Sequence, residues 1–413
     1  MKQSEFILRR KNIFNKITSD SVTVLFSGLA PKRSADENYA FEVNRNFLYL
    51  TGIEQAHSML LLIKKGSKEE TILFIDRFDE YKEKWTGKLL TVEEARTLSG
   101  IDDVRFSDEF DNDIGKLMAK DTINSVYFDL EKDLKIGENQ TTIDYATVFE
   151  SKTKVEVKNI YPLLMRLRMI KSPEEIACLR AAIHTTCSGL EAIQKNIRGG
   201  KYEYQMAALF EYTIRDLANA ALSFPTITAG GKNAIILHYP TPNAVINDGD
   251  LVLFDLGAKA DLYCADISRT YPANGKYSSL QKTIYETVLT ANKNVIAMIK
   301  PGLTLKDLQD YTIGFYQKEL MRLGLIDNPE EVKDVYYHNV SHHLGIDTHD
   351  VSDRSLPLEA GNVITVEPGL YFKKYGIGVR IEDDVLVTET GSENLSKEII
   401  KEVADIEKAI QSR

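Results

Sequence analysis

The sequence predicts two domains, an α/β domain in residues 1–165 and an α+β domain in residues 172–413 with an internal duplication. A chain of 413 residues with 43% hydrophobic content can build more than one core. Short apolar runs alternate with helical patterns in the first part, whereas pairs of helices precede groups of strands in the second. A capping box from Ser172 to Glu175 opens the second domain, with Pro173 at the first helical position.

The composition narrows the possible classes of function. A net charge of −10 and a pI near 5.4 argue against nucleic acid or an anionic membrane surface as a partner. The N-terminus lacks the apolar run of a signal peptide, and no stretch approaches ~18 uninterrupted apolar residues. We therefore expect a soluble, cytoplasmic protein. Cys178, Cys187 and Cys264 show no CxxC spacing, which argues against both a disulfide framework and a zinc–thiolate site.

The first domain shows the signals of a mixed sheet with helices. Strands are predicted in residues 21–28, 57–65, 70–76 and 125–130, and helices in residues 91–100 and 108–119. Residues 37–52, rich in aromatics and asparagine, predict a packed surface loop that leads into a strand. Trp85 lies among charged residues. It is either partly buried beneath lysines or an anchor for a substrate or a neighbouring subunit.

The second domain repeats one order of elements. Helices are predicted in residues 173–196, 202–220, 279–299 and 304–323. The break Ile197-Arg198-Gly199-Gly200 after the first helix resembles the break Ile299-Lys300-Pro301-Gly302 after the third. Strand-like and polar segments follow each pair of helices. This order predicts two halves that face each other across a pseudo-twofold axis.

A hairpin in the first half brings two carboxylates together. Its strands, residues 251–258 and 263–271, are predicted to fold back about Ala260 and Asp261, which would place Asp255 directly opposite Asp266. Opposed like charges destabilise a hairpin unless something compensates them, and a bound cation is the simplest compensation. The alternative, from this segment alone, is that one aspartate belongs to the turn and the other faces water.

A second predicted hairpin brings two glutamates together. Strands in residues 363–372 and 378–387 would place Glu367 opposite Glu382. Glu367 lies within an apolar run, where a half-buried carboxylate needs a partner. Because proline cannot donate to a strand ladder, Pro368 leaves the register of this hairpin open.

The segment between the two hairpins supplies histidines. His338 and His342 are four residues apart and His349 follows, but no glutamate follows His338 as it would in an HExxH zinc motif. Any one of these histidines could be a satisfied core or surface residue. Together with four acids they form a ligand set rich in oxygen, which suits a pair of divalent transition-metal ions. Two such ions ~3.5 Å apart lower the pKa of a shared water, so the pattern indicates hydrolysis, most naturally of an amide.

These segments also resemble the signature blocks of the pita-bread metallopeptidases, the family of aminopeptidase P, prolidase and methionine aminopeptidase. The matching segments are HYPTPN, GDLVLFDLGAKADLYCADISRTYP, HNVSHHLGIDTHD, VEPGLYF and GVRIEDDVLVTETG. The resemblance covers residues 172–413. It extends to the first domain, where FSGLAPKRSADENYAFEVNRNFLYLTG is similar to the N-terminal domain of aminopeptidase P. It therefore implies a pita-bread catalytic domain behind an aminopeptidase P-like domain.

The resemblance matches all five metal-ligand positions of the family. It implies that Asp266 and Glu382 bridge two divalent ions, that Asp255 chelates one of them, and that His342 and Glu367 bind the other. The ions would be Mn²⁺ first, with Co²⁺, Zn²⁺ or Fe²⁺ as alternatives. A hydroxide bridging them would attack the peptide bond, and Glu367 would handle its proton.

The resemblance also implies roles for residues that do not bind metal. His238, His338 and His349 would orient the substrate, stabilise the tetrahedral intermediate and shuttle protons. Arg380 would support a metal-binding aspartate from behind. Tyr371 would line the pocket.

Within the family, the features favour an Xaa-Pro aminopeptidase. Methionine aminopeptidases lack this N-terminal domain and the spacing of His338 and His342. Prolidase, an Xaa-Pro dipeptidase, shares both and remains the alternative. Trp85 lies in a W-x-G context like that of the aminopeptidase P tryptophan that reaches into the neighbouring subunit's site. The expected protein is thus a homodimer or homotetramer that acts on proline-containing peptides.

Two other functions are less compatible with the sequence. A metal-free peptide-binding module on the same fold would have lost ligands, and here none is lost. A creatinase-like amidinohydrolase does not use this metal set.

The loop between the two glutamate strands is shorter than in some relatives, so we expect a different pocket wall there.

Overall fold

A computed structural model of the chain describes residues 1–120, 123–131 and 140–412. These residues form two compact units, Met1–Leu167 and Arg168–Arg413. Within the described ranges, no helix is both long and apolar enough to cross a membrane.

The first unit is a sheet with helices. Its helices are α1 (Gln3–Phe14), α2 (Arg45–Thr51), α3 (Glu80–Thr86), α4 (Val92–Ser99), α5 (Phe110–Lys120), α6 (Gln140–Lys152) and α7 (Tyr161–Met169), in which the division between units falls. Its strands are β1 (Ser21–Phe26), β2 (Met59–Lys65), β3 (Lys68–Ile75), β4 (Asp103–Phe106), β5 (Ser125–Phe128) and β6 (Glu156–Asn159). They lie in the order β4-β3-β2-β1-β5-β6, with β2 antiparallel to both neighbours and the other pairs parallel. Buried residues such as Val24, Phe74 and Phe128 form the core beneath this sheet.

The predicted strands and helices of this unit are confirmed, and residues 37–44 form the predicted surface loop, but the strand predicted after it, within residues 37–52, is wrong. Instead of entering a strand, this segment forms the buried helix α2. The side chain of Asn44 caps its start by accepting a hydrogen bond from the backbone N–H of Phe47. Gly52 ends it with φ +69°, a left-handed conformation that glycine adopts without strain.

The second unit contains the remaining elements. Its helices are α8 (Pro173–Asn196), α9 (Glu203–Ala218), α10 (Ser279–Met298), α11 (Leu305–Arg322), α12 (Val332–Val335) and α13 (Val403–Gln411). Its strands are β7 (Ile227–Gly230), β8 (Leu251–Leu256), β9 (Lys259–Ala260), β10 (Tyr263–Cys264), β11 (Ile267–Pro272), β12 (Val363–Val366), β13 (Gly369–Phe372), β14 (Ile377–Arg380), β15 (Asp383–Val387) and β16 (Ser392–Asn394). They form sheets of order β11-β8-β7 and β12-β15-β16 and the hairpins β9-β10 and β13-β14.

The order of elements in this unit follows the predicted duplication. The helices α8 and α9 precede the sheet β11-β8-β7, and α10 and α11 precede the sheet β12-β15-β16. All four helices lie where the sequence predicts them. Ser172, Ser278 and Thr304 each accept a hydrogen bond in a capping box, which explains why α8, α10 and α11 begin where they do.

The register predicted for the aspartate hairpin is wrong by two residues. Strands β8 and β11 pair Asp255 with Ser268, not with Asp266. The turn lies at Asp261 and Leu262, with φ of +45° and +69°, one residue later than predicted. Because side chains two apart on a strand share a face, Asp266 still lies on the side of Ser268 and Asp255.

The register predicted for the glutamate hairpin is confirmed. Strand pairing joins Val366 to Asp383 on one side and Gly369 to Arg380 on the other. Both ladders place Glu367 opposite Glu382 in the gap between them. Pro368 makes this gap, since it has no N–H to donate, and its carbonyl accepts from the N–H of Ile381 at 3.3 Å.

Candidate active site

The two hairpins and the histidine segment converge on one cavity of about 270 Å³ in the second unit. The cavity is lined by Leu237, His238, Asp255, Asp266, His338, Asn339, Ser341, His342, His349, Arg354, Glu367, Arg380 and Glu382. Asp266, His342 and Glu382 offer ligand atoms that all lie within 4.8 Å of one another. Nε2 of His342 lies 3.4 Å from Oδ2 of Asp266 and 3.6 Å from Oε1 of Glu367.

The carboxylates that line this cavity outnumber the arginines beside them. Burial first, and then the neighbouring Asp255, holds the pKa of Asp266 well above its usual range. Burial and then Asp266 do the same to the pKa of Glu382, and burial raises the pKa of Glu367 to about 7. Oδ1 of Asp255 is buried without a hydrogen-bond partner. A crowded set of oxygen ligands with an unsatisfied oxygen fits divalent cations.

The ring of His342 is oriented for binding a cation. Its Nδ1 lies 3.0 Å from the carbonyl oxygen of His343. Because a carbonyl can only accept a hydrogen bond, Nδ1 carries the proton and Nε2 offers its lone pair to the carboxylate side.

Arg380 links several groups behind the carboxylates. Its Nη2 donates to Oδ2 of Asp255 at 2.5 Å, its Nε to Oγ of Ser268 at 2.7 Å, and its Nη1 to the hydroxyl of Tyr371 at 3.1 Å. Oγ of Ser268 in turn donates to Oε2 of Glu382 at 2.7 Å. Arg380 and Ser268 therefore hold one acidic residue from each hairpin in place.

Tyr371 and His338 continue this network. Tyr371 is only 1% exposed, so it lies behind the cavity wall, and its hydroxyl is 2.8 Å from Nε2 of His338. Nδ1 of His338 donates to the carbonyl of Asn339 at 2.8 Å, which makes Nε2 the acceptor for the tyrosine hydroxyl. Burial, and then the positive charge of Arg380, lowers the pKa of His338 to about 3. His338 is thus neutral at physiological pH.

The two other predicted histidines, His238 and His349, also line the cavity. The centroid of the His349 ring is 4.0 Å from that of His342. Burial, and then His342, lowers the pKa of His349 to about 4. His238 follows the 3₁₀ turn Gly231–Ile235 and lines the same cavity.

Two buried residues that the sequence did not single out complete the site. Ser268 lies opposite Asp255, and Oδ2 of Asp384 accepts the backbone N–H of Asp266 at 3.2 Å. Burial raises the pKa of Asp384 well above its usual value. With the correct hairpin register, the position of Ser268 opposite Asp255 would have indicated its role.

Trp85 lies in the first unit, on α3. It is 75% exposed, so the alternative that lysines partly bury it is wrong. Its ring centroid is 6.2 Å from that of Tyr81, which is 70% exposed. Two large exposed aromatic rings on one short helix are typical of a contact surface.

Comparison with known proteins assigns the chain to a family. The model of metallopeptidase family M24 matches residues 177–389, and the model of the aminopeptidase P N-terminal domain matches residues 6–127. The chain belongs to metallopeptidase family M24. This membership confirms the predicted fold class, an α/β domain followed by a pita-bread catalytic domain. It also makes the chain a metal-dependent hydrolase.

Several M24 relatives match along the whole chain. An Xaa-Pro aminopeptidase of Haemophilus influenzae is 34% identical, over 98% of this chain and 96% of the relative. Human Xaa-Pro aminopeptidase 3 is 33% identical, over 98% of this chain and 86% of the relative. Among solved structures, Escherichia coli aminopeptidase P with the inhibitor Pro-Leu has a TM-score of 0.91 at 30% identity, over 100% of this chain and 99% of that one. Proline aminopeptidase P II of Yersinia pestis has a TM-score of 0.90 at 30% identity, over 100% of both chains.

Proposed function

We propose that this M24 enzyme is an Xaa-Pro aminopeptidase, which removes the N-terminal residue that precedes a proline. The observation that carries the proposal is the convergence of Asp255, Asp266, His342, Glu367 and Glu382 on one cavity. The chain matches Xaa-Pro aminopeptidases over both domains, which supports the same substrate class. Such bonds need a dedicated enzyme because proline lacks an N–H and restricts the residue before it.

The same five residues would hold two divalent ions. In this proposal Asp266 and Glu382 bind both ions, Asp255 binds one, and His342 and Glu367 bind the other. When bound, such ions supply a water of lowered pKa and polarise a carbonyl oxygen. Mn²⁺ suits carboxylate-rich sites and is our first choice, with Co²⁺, Zn²⁺ and Fe²⁺ as alternatives. A zinc-substituted Escherichia coli aminopeptidase P has been solved in complex with product, which supports a metal site of broad tolerance.

The protein's own groups would move protons and hold the substrate. Glu367 would accept a proton from the attacking water and return it to the proline nitrogen. His349, kept neutral by burial, can orient polar atoms of the peptide without adding charge. His338, also neutral, would contact the peptide in exchange for its hydrogen bond with Tyr371. We assign the same orienting role to His238. Arg380, in the cavity lining, and Tyr371, behind it, would position these groups.

The proposal also covers the assembly of the enzyme, its location and its partners. The exposed ring of Trp85 would contact substrate in the site of a neighbouring subunit, so the enzyme would act as a homodimer or homotetramer. We propose that it works in the cytoplasm on proline-containing peptides, with neither nucleic acid nor membrane as a partner.

The test is a comparison of Xaa-Pro-Xaa tripeptides with Xaa-Pro dipeptides as substrates of the metal-loaded enzyme. Release of the first residue from tripeptides is expected. Hydrolysis confined to dipeptides would instead make the enzyme a prolidase.

A further inference from the structure

A cluster of buried charges lies next to the histidines, outside the groups that line the cavity. Asp350 directly follows His349, and its carboxylate accepts from Nη2 of Arg168 at 2.6 Å and from Nζ of Lys171 at 2.9 Å. All three side chains are at most 2% exposed. Arg168 also donates to Asp347 at 2.9 Å, so two cations face two carboxylates. A buried ion pair is by itself weak evidence for a role in stability, so a second role for this cluster must come from what it contacts.

The backbone joins this cluster to a proposed metal ligand. The N–H of Asp350 donates to the carbonyl oxygen of His343 at 2.9 Å. The same oxygen accepts from Nδ1 of His342 at 3.0 Å. A single carbonyl therefore connects Asp350 to the imidazole whose Nε2 faces the carboxylates. Any displacement of Asp350 moves the acceptor that sets the tilt of this ring.

The loop has little room to rearrange around the cluster. A Cβ atom at Gly345 would lie 2.2 Å from Oδ2 of Asp350. The carbonyl of Gly345 accepts from the N–H of Cys264 at 2.8 Å, which fixes the loop to β10. On the other side, the N–H of Lys171 donates to the carbonyl of Gly361 at 2.8 Å. The carboxylate of Asp350 thus fills the space between the loop and Lys171.

We propose that Arg168, Lys171 and Asp350 are positioning residues that hold the loop from His342 to His349 in its working geometry. They set the direction of Nε2 of His342 and keep the ring of His349 beside it. They do not act on the substrate, since they lie outside the cavity lining. The kinetic part of this inference rests on the proposed function, whereas its metal-binding part does not.

The variant Asp350→Asn keeps the shape of the side chain but leaves Lys171 and Arg168 without a full counter-charge. We expect the metal affinity measured by calorimetry with Co²⁺ to fall about 10–100-fold, as for other outer partners of metal ligands. The visible absorption bands of bound Co²⁺ should shift, and kcat should fall more than KM changes. The double variant Lys171→Met/Asp350→Asn removes one charge of each sign, so it should recover most of the wild-type Co²⁺ spectrum.

The matched control is Ile406→Ala on α13, a fully buried position on a different element. It should lower the melting temperature without altering the Co²⁺ spectrum or affinity. If Asp350→Asn does not fold, Lys171→Met alone leaves Asp350 paired with Arg168 and should show the same changes more weakly. An unchanged Co²⁺ spectrum and affinity in the cluster variants, or equal changes in Ile406→Ala, would overturn the proposal. Wild-type protein that binds Co²⁺ but leaves Xaa-Pro peptides intact would contradict the proposed function alone.

Discussion

Single residues in the cavity differ in what they would contribute to metal binding. Asp266 lies at the centre of the carboxylates, within reach of His342 and beside Glu382. Asp255 lies at the edge, where Arg380 already neutralises one of its oxygens. The two aspartates should therefore have unequal effects when removed.

We predict that Asp266→Ala loses both ions and that Asp255→Ala chiefly loses one. The reason is that, in the proposed arrangement, Asp266 would contact both ions and Asp255 only one. Metal content of the purified variants, measured by elemental analysis, checks this, and activity should fall by more than the roughly 10–100-fold that loss of an outer partner costs. Equal metal content in the two variants would contradict the assignment.

Ser268 should matter because it touches both hairpins. Ser268→Ala removes the donor to Glu382 and the acceptor for Nε of Arg380. We expect metal affinity or kcat to fall about 10–100-fold. Ser268→Thr keeps the hydroxyl and is the control. Full activity of the alanine variant would show that the network is not needed.

The ion pairs of Asp350 should make the free energy of unfolding depend on pH. Burial alone raises the pKa of Asp350, but Lys171 and Arg168 outweigh burial and lower the pKa to about 2, below the unfolded value of 3.8. Above about pH 4, the ion pairs of Asp350 therefore add about 2 kcal/mol to the free energy of unfolding. This contribution is lost as the pH falls towards 2. Denaturant unfolding of the wild type and of Asp350→Asn from pH 5 to pH 2.5 checks this. The wild type should lose stability more steeply, and parallel curves would contradict the prediction.

At the scale of elements, the aspartate hairpin depends on a close approach of its strands. A Cβ atom at Gly257 would lie 1.8 Å from the carbonyl oxygen of Ala265. Because Gly257 and Ala265 lie between Asp255 and Asp266 in the hairpin, the contact of these two backbones sets the spacing of the acids.

Gly257→Ala is therefore expected to destabilise the fold by at least about 2 kcal/mol and to weaken metal binding. Gly314→Ala on α11 is the matched control, since a Cβ there meets nothing within 4 Å. Alanine is the better helix former, so this control should stabilise the protein by up to about 1 kcal/mol. Denaturant unfolding compares the two. A Gly257→Ala variant as stable as wild type would refute the close approach.

The two hairpins also show what a sequence pattern can and cannot predict. The glutamate register was predictable because the linking segment is centred between Glu367 and Glu382, and the interruption at Pro368 does not shift the pairing. The aspartate register was not, because its turn uses Asp261 and Leu262 with positive φ, and leucine carries no turn signal. That error concealed Ser268, which faces Asp255 only in the true register.

The sequence around helix α2 contains signals for the start and the end of a helix. Asn44 and Gly52 bracket a run of seven residues, as a cap and a terminator would. The aromatic residues of this run made it resemble a strand, yet tertiary burial of Phe47 and its neighbours holds them in a helix.

At the scale of the whole molecule, the ligands come from sequence positions far apart. Asp255 and Glu382 belong to different hairpins, and the fold of the second unit brings them to one cavity. Their identity could be predicted from the sequence because each lies in a distinctive motif. The support of the loop from His342 to His349 by Arg168, Lys171 and Asp350 could not, since it depends on contacts between distant segments that no local pattern reveals.

The most direct measurement is the product analysis of a peptide Xaa-Pro-Xaa incubated with the Mn²⁺-loaded enzyme, beside the same peptide with alanine in place of proline. We predict that the first residue is released from the proline peptide, that the alanine peptide is cleaved far more slowly, and that chelation of the metal abolishes both reactions. Equal cleavage of both peptides, or undiminished cleavage after chelation, would contradict a metal-dependent Xaa-Pro aminopeptidase.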